Sequence, residues 1–469
     1  MDLTTEPLRR ALVRLALPIM GAMLLETLFN LLNAFWVGRL GTLAFAGVNL
    51  SSFSVWLMFA LVGVVTTGTN SVVAQRLGAG DREQARRAAH VGIVCAFCLG
   101  VLMAAPVVLW GEDLLRLMAG EGRDAEAAVK IGTGYLSLLF LWAPVHCLNE
   151  TFSAIFRAAG DTRTPLRAYS VGFLLNFALD PLLIYGPGPF PRLEVMGAAL
   201  ATNLSFTVVL CLYLTMLGKL PFRLGRARGE SLRQVLSRHW LNEIVRIGTP
   251  PCVAMVTFCL VYMFLAPIVG TFGAPALAAL GIGHRVESLS YLICHGFSLA
   301  TVTLVGQNMG AGLEERARKA AWVAVGVVSG ATVGTGLLYF FGAPVLARLF
   351  SRDPAVLAIA VPYLQAMAFS QLPMGVYLVL QGAFAGAGRT LPPTLVSIAT
   401  VVCRVPLSDH LALTLGLGIR AIWWSLVGLT CLQGAVTVLL FALGLWRRKA
   451  PAVKETPPNP YPPGGSQNP

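Results

Sequence analysis

The chain consists of long apolar stretches separated by short polar breaks along almost its whole length. A helix needs about 20 apolar residues to cross the hydrocarbon layer of a bilayer, whereas the strands of a membrane barrel alternate in polarity. These stretches are long enough for helices and do not alternate. The pattern therefore predicts twelve transmembrane helices, at residues 13–36, 43–74, 88–110, 131–156, 165–186, 196–217, 242–270, 276–305, 320–342, 356–385, 392–415 and 420–446.

The composition supports a membrane protein. Of the 469 residues, 56% are hydrophobic and only 12% are charged, which is too apolar for the surface of a soluble protein. All nine cysteines fall within the predicted helices, so no pair outside the membrane can form a disulfide framework or a zinc site. We expect an all-α integral membrane protein with the lipid bilayer as its surroundings.

The positive charge of the chain is explained by membrane topology. A net charge of +13 is compatible with a nucleic-acid partner, but the Lys and Arg residues concentrate in alternate loops, as cytoplasmic loops of membrane proteins do. We therefore expect no nucleic-acid partner. The expected location is the cell inner membrane, crossed many times, with both termini in the cytoplasm.

The two halves of the chain repeat each other. The segment Gln75–Gly80 (QRLGAG) recurs as Gln307–Gly312 (QNMGAG), and the same separation of 232 residues holds at other matched positions. These are Arg14 and Arg246, Pro18 and Pro250, Gly41 and Gly273, and Arg86 and Arg318. A second block, from Phe156 to Pro165, matches the block from Phe384 to Pro393 at a separation of 228 residues. The sequence therefore contains an internal duplication.

Each repeat contains six predicted spans. Because six is even, the halves enter the membrane in the same orientation and are related by a pseudo-twofold axis along the membrane normal. We predict an N-terminal six-helix lobe at 1–218, a cytoplasmic linker at 219–241, a C-terminal six-helix lobe at 242–446, and a disordered, Pro- and Gly-rich cytoplasmic tail at 447–469. This design favours a carrier over a channel or a receptor.

Neither ATP binding nor catalysis has a motif in this sequence. The Gly-rich segments at Gly78 and Gly310 are not followed by the Lys and Ser or Thr of a phosphate-binding loop, and their glycines instead suit tight turns at helix ends. The metalloprotease and nucleophile-elbow patterns are absent as well. We expect a protein that is not an enzyme and that holds no cofactor.

Acids within membrane spans are costly, so they are candidates for ion coupling or substrate binding. Asp180 follows Asn176 by four residues and shares its helix face. Pro181 comes next and lacks the N–H that a regular helix uses. A carboxylate beside an amide, in a helix loosened by proline, can bind a proton or a bare cation.

Five further residues, three of them acids, extend this set of candidates. In the first span Glu26, Asn30 and Asn33 form a polar stripe along one face. Glu150 lies either deep in the fourth span or close to its cytoplasmic end. Glu287 is either a coupling residue or one half of a structural ion pair near the start of its helix, where Arg285 and His284 lie.

Four motifs together resemble one family of transporters. They are Val37–Gly41 (VGRLG), Phe156–Thr162 (FRAAGDT), Asn176–Pro181 (NFALDP) and Val305–Gly312 (VGQNMGAG). In this order and spacing they resemble the multidrug and toxic compound extrusion family, in particular its bacterial DinF-like branch, over nearly the whole chain up to the tail.

The resemblance implies a function and a site. Members of the family are secondary exporters that couple entry of protons or sodium ions to expulsion of organic cations and other amphipathic, drug-like compounds. The family's site in the N-terminal lobe falls on Asp180, Asn176 and Thr202, which would also form a sodium site. Since one chain supplies both lobes, a monomer is expected to suffice.

The first span departs from the family pattern. The family usually has an Asp where this chain has Asn33, and a Gln where this chain has Glu26. An amide can coordinate a cation but cannot carry a proton. Our hypothesis is that Glu26 and Asp180 share the coupling role, while Asn33 only forms hydrogen bonds.

Two other functions compete with export. A flippase for lipids or lipid-linked saccharides, from a related superfamily, would line its cavity with several Arg or Lys residues, but only Arg285 and Arg404 lie near the spans. A receptor or scaffold that transports nothing fits poorly with short loops and a complete repeat.

Overall fold

The computed structural model describes residues 3–119, 123–188, 191–224 and 238–447. Within these residues the chain forms helices and turns. The α-helices are α1 (Leu8–Gly38), α2 (Thr42–Gly78), α3 (Arg82–Ala119), α4 (Arg123–Leu141), α5 (Ala143–Ala158), α6 (Arg163–Tyr185), α7 (Val195–Thr215), α8 (Arg238–Gly270), α9 (Ala274–Gly310), α10 (Glu314–Arg348), α11 (Pro354–Gly386), α12 (Leu391–Val402), α13 (Arg404–Asp409) and α14 (Ile419–Ala442).

The prediction of twelve spans is confirmed for the described part of the chain. Eleven segments there are long and apolar enough to cross a membrane, and the bent pair α4 and α5 completes a twelfth span. One of the eleven, Leu391–Thr414, joins α12, α13 and a short π-helical turn, His410–Thr414. The helix α3, predicted at 88–110, begins earlier, at Arg82, and is kinked at Trp110, where the backbone is not helical (φ −127°, ψ 15°) and the predicted span ends.

Prolines break two of the spans that we predicted as continuous. The fourth span bends by 51° at Trp142, just before Pro144, which cannot donate to the preceding turn. In the eleventh span α12 ends at Val402, the residue whose carbonyl would accept from the missing N–H of Pro406. Pro181 behaves differently, because α6 continues through it to Tyr185. The expected loosening of the helix beside Asp180 is therefore not a break.

The duplication is visible in the helices themselves. The second spans of the two repeats, α2 and α9, both contain 37 residues. The turns that follow them end in Gly80 and Gly312, with φ of 75° and 74°. This left-handed conformation is one that glycine adopts without strain. The predicted tight turns are confirmed.

The lobes hold each other at the end of the bundle that carries both termini. The N-terminal half of α1, including Leu12 and Leu15, belongs to the apolar core of the C-terminal lobe. Conversely, Trp240 and Ile244 at the start of α8 are buried in the core of the N-terminal lobe. Further along α1, Phe29 packs within its own lobe. The first helix of each repeat therefore crosses the interface at this end of the bundle, which we call the closed end.

Reciprocal contacts stabilise the closed end. The side-chain amide of Gln75 donates to the carbonyl oxygen of Gly386 at 2.7 Å, and that of Gln307, the repeat partner of Gln75, donates to the carbonyl oxygen of Ala158 at 2.7 Å. A Cβ atom at Gly78 would come within 1.9 Å of the carbonyl oxygen of Gln307. Glycine is therefore what allows the two helix ends to touch.

The lobe boundaries remain predictions. Residues 225–237 of the predicted linker and 448–469 of the predicted tail lie outside the described residues. The described chain resumes with α8 at Arg238, four residues before the predicted start of the C-terminal lobe.

Candidate functional site

Two buried pairs of polar side chains lie in the N-terminal lobe, toward the end opposite the closed end. In α6 the side-chain amide of Asn176 donates to Asp180 Oδ1 at 3.2 Å, as the spacing predicted. Between α1 and α7, the amide of Asn33 donates to Thr202 Oγ1 at 3.1 Å. Helices α1, α6 and α7 pack against one another. We call these four residues the outer polar cluster.

Three buried oxygen atoms of the outer polar cluster have no hydrogen-bond donor among the described residues. Asp180 and Asn176 have no exposed surface. Asp180 Oδ2, Asn176 Oδ1 and Asn33 Oδ1 are buried and accept no hydrogen bond from the described residues. A buried acceptor without a partner costs about 1–3 kcal/mol. Carboxylate and amide oxygens are also the ligands that hard cations take in proteins, so this cluster is chemically suited to a proton or a sodium ion.

A second cluster joins acids from two helices. The hydroxyl of Tyr169 in α6 donates to a carboxylate oxygen of Glu150 in α5. Charge interactions connect the carboxyl of Glu26 in α1 with Glu150 and with Arg157. We call Glu26, Glu150, Tyr169 and Arg157 the inner acidic cluster.

Aromatic packing holds the inner acidic cluster together. Phe206 lies at the centre, with ring centroids 5.4 Å from Phe29 and 4.5 Å from His146. Glu26 lies three residues before Phe29, and Glu150 four residues after His146. Residues at these spacings share a helix face, so both acids border the same aromatic group.

The two clusters lie at different depths. Glu26 precedes Asn33 by seven residues of one helix, which is about 10 Å of rise, and it lies on the side of the closed end. The carboxyl of Glu26 interacts with Glu150 and Arg157, and the coupling role that we expect it to share with Asp180 remains a prediction. Asn30 is exposed, and its amide donates to the backbone carbonyl of Glu26.

In the C-terminal lobe, Glu287 meets a tyrosine rather than its neighbour Arg285. Tyr363 donates to a carboxylate oxygen of Glu287 at 3.3 Å. Among the described residues no ion pair joins Glu287 to Arg285, which is exposed. The cation that interacts with Glu287 is Arg404, which is buried and donates to Thr430 Oγ1 at 3.0 Å. The structural ion pair considered for this helix start is therefore not formed.

Sequence reasoning missed the tyrosines of both lobes. Tyr169 is 19 residues from Glu150, and Tyr363 is 76 residues from Glu287. No helical spacing links residues so far apart along the chain. The one signal in the sequence is the presence of tyrosines within apolar spans, because a buried tyrosine hydroxyl needs a hydrogen-bond partner. No group of three or more metal-ligating His, Cys, Asp or Glu side chains occurs in the part of the chain that the structure describes.

Comparison with known proteins identifies the family. The model of the family described as MatE matches residues 18–182 and again 250–408, which together cover more than half of the chain. The chain belongs to the MATE family. The MATE model thus matches each repeat once, and the two matches begin at Pro18 and Pro250, the pair that the sequence repeat aligned.

Relatives cover nearly the whole MATE chain. The chain is 28% identical to a probable multidrug resistance protein NorM of Thermotoga maritima, over 96% of this chain and 95% of that protein. It is also 28% identical to an FAD transporter of Shewanella oneidensis, over 85% and 87%. A solved outward-facing structure of a multidrug resistance MATE transporter superposes with a TM-score of 0.86 at 26% identity, over 95% of this chain and 97% of that one. The chain is a multi-pass membrane transporter with two six-helix lobes, and not an enzyme.

Proposed function

We propose that this MATE transporter exports organic cations or other amphipathic compounds and takes up protons or sodium ions in exchange. The observation that carries this proposal is Asp180, which is fully buried and has an oxygen without a hydrogen-bond partner among the described residues. Such an acid can bind a cation from one side of the membrane and release it to the other, provided that the lobes alternate between their two open arrangements.

The packing of the lobes supports alternating access. They are held together at the closed end through glycine contacts and hydrogen bonds, while in the outer half of α1 Phe29 packs within its own lobe. We infer that the space between the lobes opens at the end opposite both termini. With the termini in the cytoplasm of a bacterial inner membrane, this arrangement faces outward.

The distribution of charge favours a cationic substrate. Glu26, Glu150 and Glu287 are only partly buried and retain some exposed surface within the bundle. Arg157 and Arg404 are 9% and 6% exposed and therefore turn their charge into the packing. A ligand between the lobes meets acids more readily than arginines, and this suits lipophilic cations.

The coupling site is proposed at the outer polar cluster. Asp180 would carry the exchanged ion, with Asn176, Asn33 and Thr202 supplying neutral oxygens if the ion is sodium. The inner acidic cluster, with Asn30 beside it, would bind substrate and respond to its charge. Glu287 would play a comparable role in the second lobe. No cofactor is required, and a monomer contains both lobes.

Two alternatives remain testable beside this proposal. The relative named as an FAD transporter suggests an anionic nucleotide as substrate, which the half-buried acids disfavour. A flippase for lipids or lipid-linked saccharides would share the two-lobe design. Both would need several exposed cations between the lobes, whereas two arginines within the spans, Arg157 and Arg404, are buried and Arg285 is exposed.

Reconstitution tests the proposal. Purified protein in liposomes is loaded with a fluorescent lipophilic cation, and efflux is followed under an imposed proton gradient and then a sodium gradient. We expect one gradient to drive efflux and Asp180→Asn to abolish it. Asp409→Asn, which changes an exposed acid at the end of α13, is the matched control. FAD flux or lipid scrambling in place of cation efflux would contradict the proposal.

A further inference from the structure

A surface cavity of about 650 Å³ lies at the closed end, where the two lobes meet. Its wall is formed by Leu8 at the start of α1 and by two successive turns of α10. The residues of α10 are Arg318, Lys319, Trp322 and Val323. The cavity therefore combines two cations with three apolar side chains, and it bridges the N-terminal lobe to the C-terminal lobe.

The cations of this cavity are only partly neutralised. Arg318 Nη2 lies 2.9 Å from Glu315 Oε2, and both side chains are about half exposed, at 47% and 63%. Lys319 is exposed and has no ion-pair partner among the described residues. The cavity therefore presents one free positive charge and one shared charge to an anion that enters it.

The apolar wall is placed as for a lipid. Trp322 is 39% exposed and packs edge-to-face on Phe441, with the ring centroids 5.6 Å apart. Tryptophan at this level is typical of the boundary between headgroups and acyl chains. Further along α10 the surface remains apolar, with Val333 and Leu337 about half exposed. An anion bound by Lys319 would thus lie directly above a surface that suits an acyl chain.

The corresponding place in the other repeat is filled by a side chain. At the separation of 232 residues, Leu8 corresponds to Trp240, which is only 4% exposed. The guanidinium of Arg76 lies 4.8 Å from the ring of Trp240. Arg86 and Arg87, the counterparts of Arg318 and Lys319, both bind the carboxylate of Glu83. Each copy thus has two cations beside one carboxylate, Glu83 or Glu315, but one copy is filled by Trp240 whereas the other is open.

From this asymmetry we propose that the cavity binds the headgroup of an anionic phospholipid. The phosphate would lie between Lys319 and Arg318, and an acyl chain would run over Trp322 and Val323. Basic pockets between transmembrane helices that bind anionic headgroups follow the same chemistry. Because Leu8 belongs to one lobe and Lys319 to the other, the bound lipid would stabilise the closed end. This inference does not depend on which substrate is exported.

The other occupant to be tested is the end of the chain itself. Arg447, the last described residue, lies with its Nε 2.6 Å from Glu314 Oε1 on the same helix as the cavity. Residues 448–469 therefore start nearby. Their sequence carries few apolar side chains, which favours the phospholipid as the occupant of the apolar wall.

Lipid binding to the full-length, delipidated protein tests the proposal. Native mass spectrometry would titrate phosphatidylglycerol, phosphatidylcholine and, separately, inorganic phosphate. We expect phosphatidylglycerol to bind about tenfold more tightly than phosphatidylcholine, and the double variant R318Q/K319Q to lose about tenfold of that affinity. The variant R82Q/R163Q, which removes two exposed arginines from the same end, is the charge-matched control and should bind normally.

A second variant separates lipid binding from charge alone. Leu8→Trp copies the repeat partner Trp240 and should reduce phosphatidylglycerol binding with all cations retained. Phosphatidylglycerol binding that is equal in R318Q/K319Q and R82Q/R163Q, or absent in the unmodified chain, would overturn the proposal. So would binding of inorganic phosphate with the same dependence on the variants, which would indicate a free-anion site. A photoreactive side chain at Val323 that cross-links to residues 448–469 instead of lipid would also overturn it.

Discussion

The hydroxyl of Tyr169 donates a hydrogen bond to the carboxylate of Glu150 and thereby joins α6 to α5 beside the carboxyl of Glu26. Two acids from different helices thus interact inside the N-terminal lobe. Because interacting residues affect one another, we expect the two acids to act together in transport.

This pairing predicts non-additive effects on transport. Glu26→Gln and Glu150→Gln should each slow efflux, and the double variant should be no slower than the worse single variant, because interacting residues couple by about 0.5–3 kcal/mol. Initial efflux rates in liposomes measure this. Glu26→Gln combined with Glu287→Gln, in the other lobe, should be additive. Full additivity within the Glu26 and Glu150 pair would show that they act separately.

Replacing Asn33 by aspartate would add a charge to the outer polar cluster. Asn33→Asp keeps the side-chain size, and Thr202 can donate to the new carboxylate in place of accepting from the amide. The variant should stay folded and active, with efflux depending more steeply on external pH, since a second titratable group joins Asp180. Thr202→Val is the control for the lost hydrogen bond. An unchanged pH profile in Asn33→Asp would argue against an ion site at this position.

The close contact at Gly78 predicts that a larger side chain there would loosen the closed end. Gly78→Ala places a Cβ about 1.9 Å from the carbonyl oxygen of Gln307, so the helix ends must separate at a cost of about 1–3 kcal/mol. Amide hydrogen exchange at 71–80 and 303–312 should become faster. Gly63→Ala, in the same helix but facing open space, should leave exchange unchanged. Equal exchange in both variants would contradict the packing of the closed end.

Arg404 is predicted to stabilise the C-terminal lobe through its hydrogen bonds and its charge. Arg404→Met removes the donors to Thr430 and Tyr262 and leaves Glu287 without its cation, which should cost about 2 kcal/mol. The apparent melting temperature in detergent would fall by several degrees. Adding Glu287→Gln should restore part of the loss, because it removes the unbalanced charge. A double variant less stable than Arg404→Met would contradict the claim that Arg404 balances the charge of Glu287.

The spans could be predicted from the sequence because length and hydropathy suffice for a helix in a bilayer. The breaks could not, since Pro144 and Pro406 interrupt their spans whereas Pro181 does not. Whether a helix continues past a proline depends on how its neighbours accommodate the freed carbonyl group, and a linear sequence does not contain that information.

The site was predictable where it lies on one helix. Asn176 and Asp180 are one turn apart, so their hydrogen bond follows from spacing. Tyr169 with Glu150 and Tyr363 with Glu287 connect separate helices, and their pairing depends on the rotation of each helix in the packed bundle. The interaction of Glu26 with Glu150 depends on helix rotation in the same way and could not be predicted from the sequence.

Antiport is measured most directly by imposing a gradient of the substrate and recording whether it moves the coupled ion. Liposomes containing the protein, with no initial proton or sodium gradient, are given a steep gradient of a lipophilic cation, and internal pH and sodium are recorded. We predict that the cation gradient moves protons or sodium ions in the opposite direction and so builds up a gradient of that ion, and that Asp180→Asn abolishes this movement. Cation movement without any counter-movement of protons or sodium would contradict antiport.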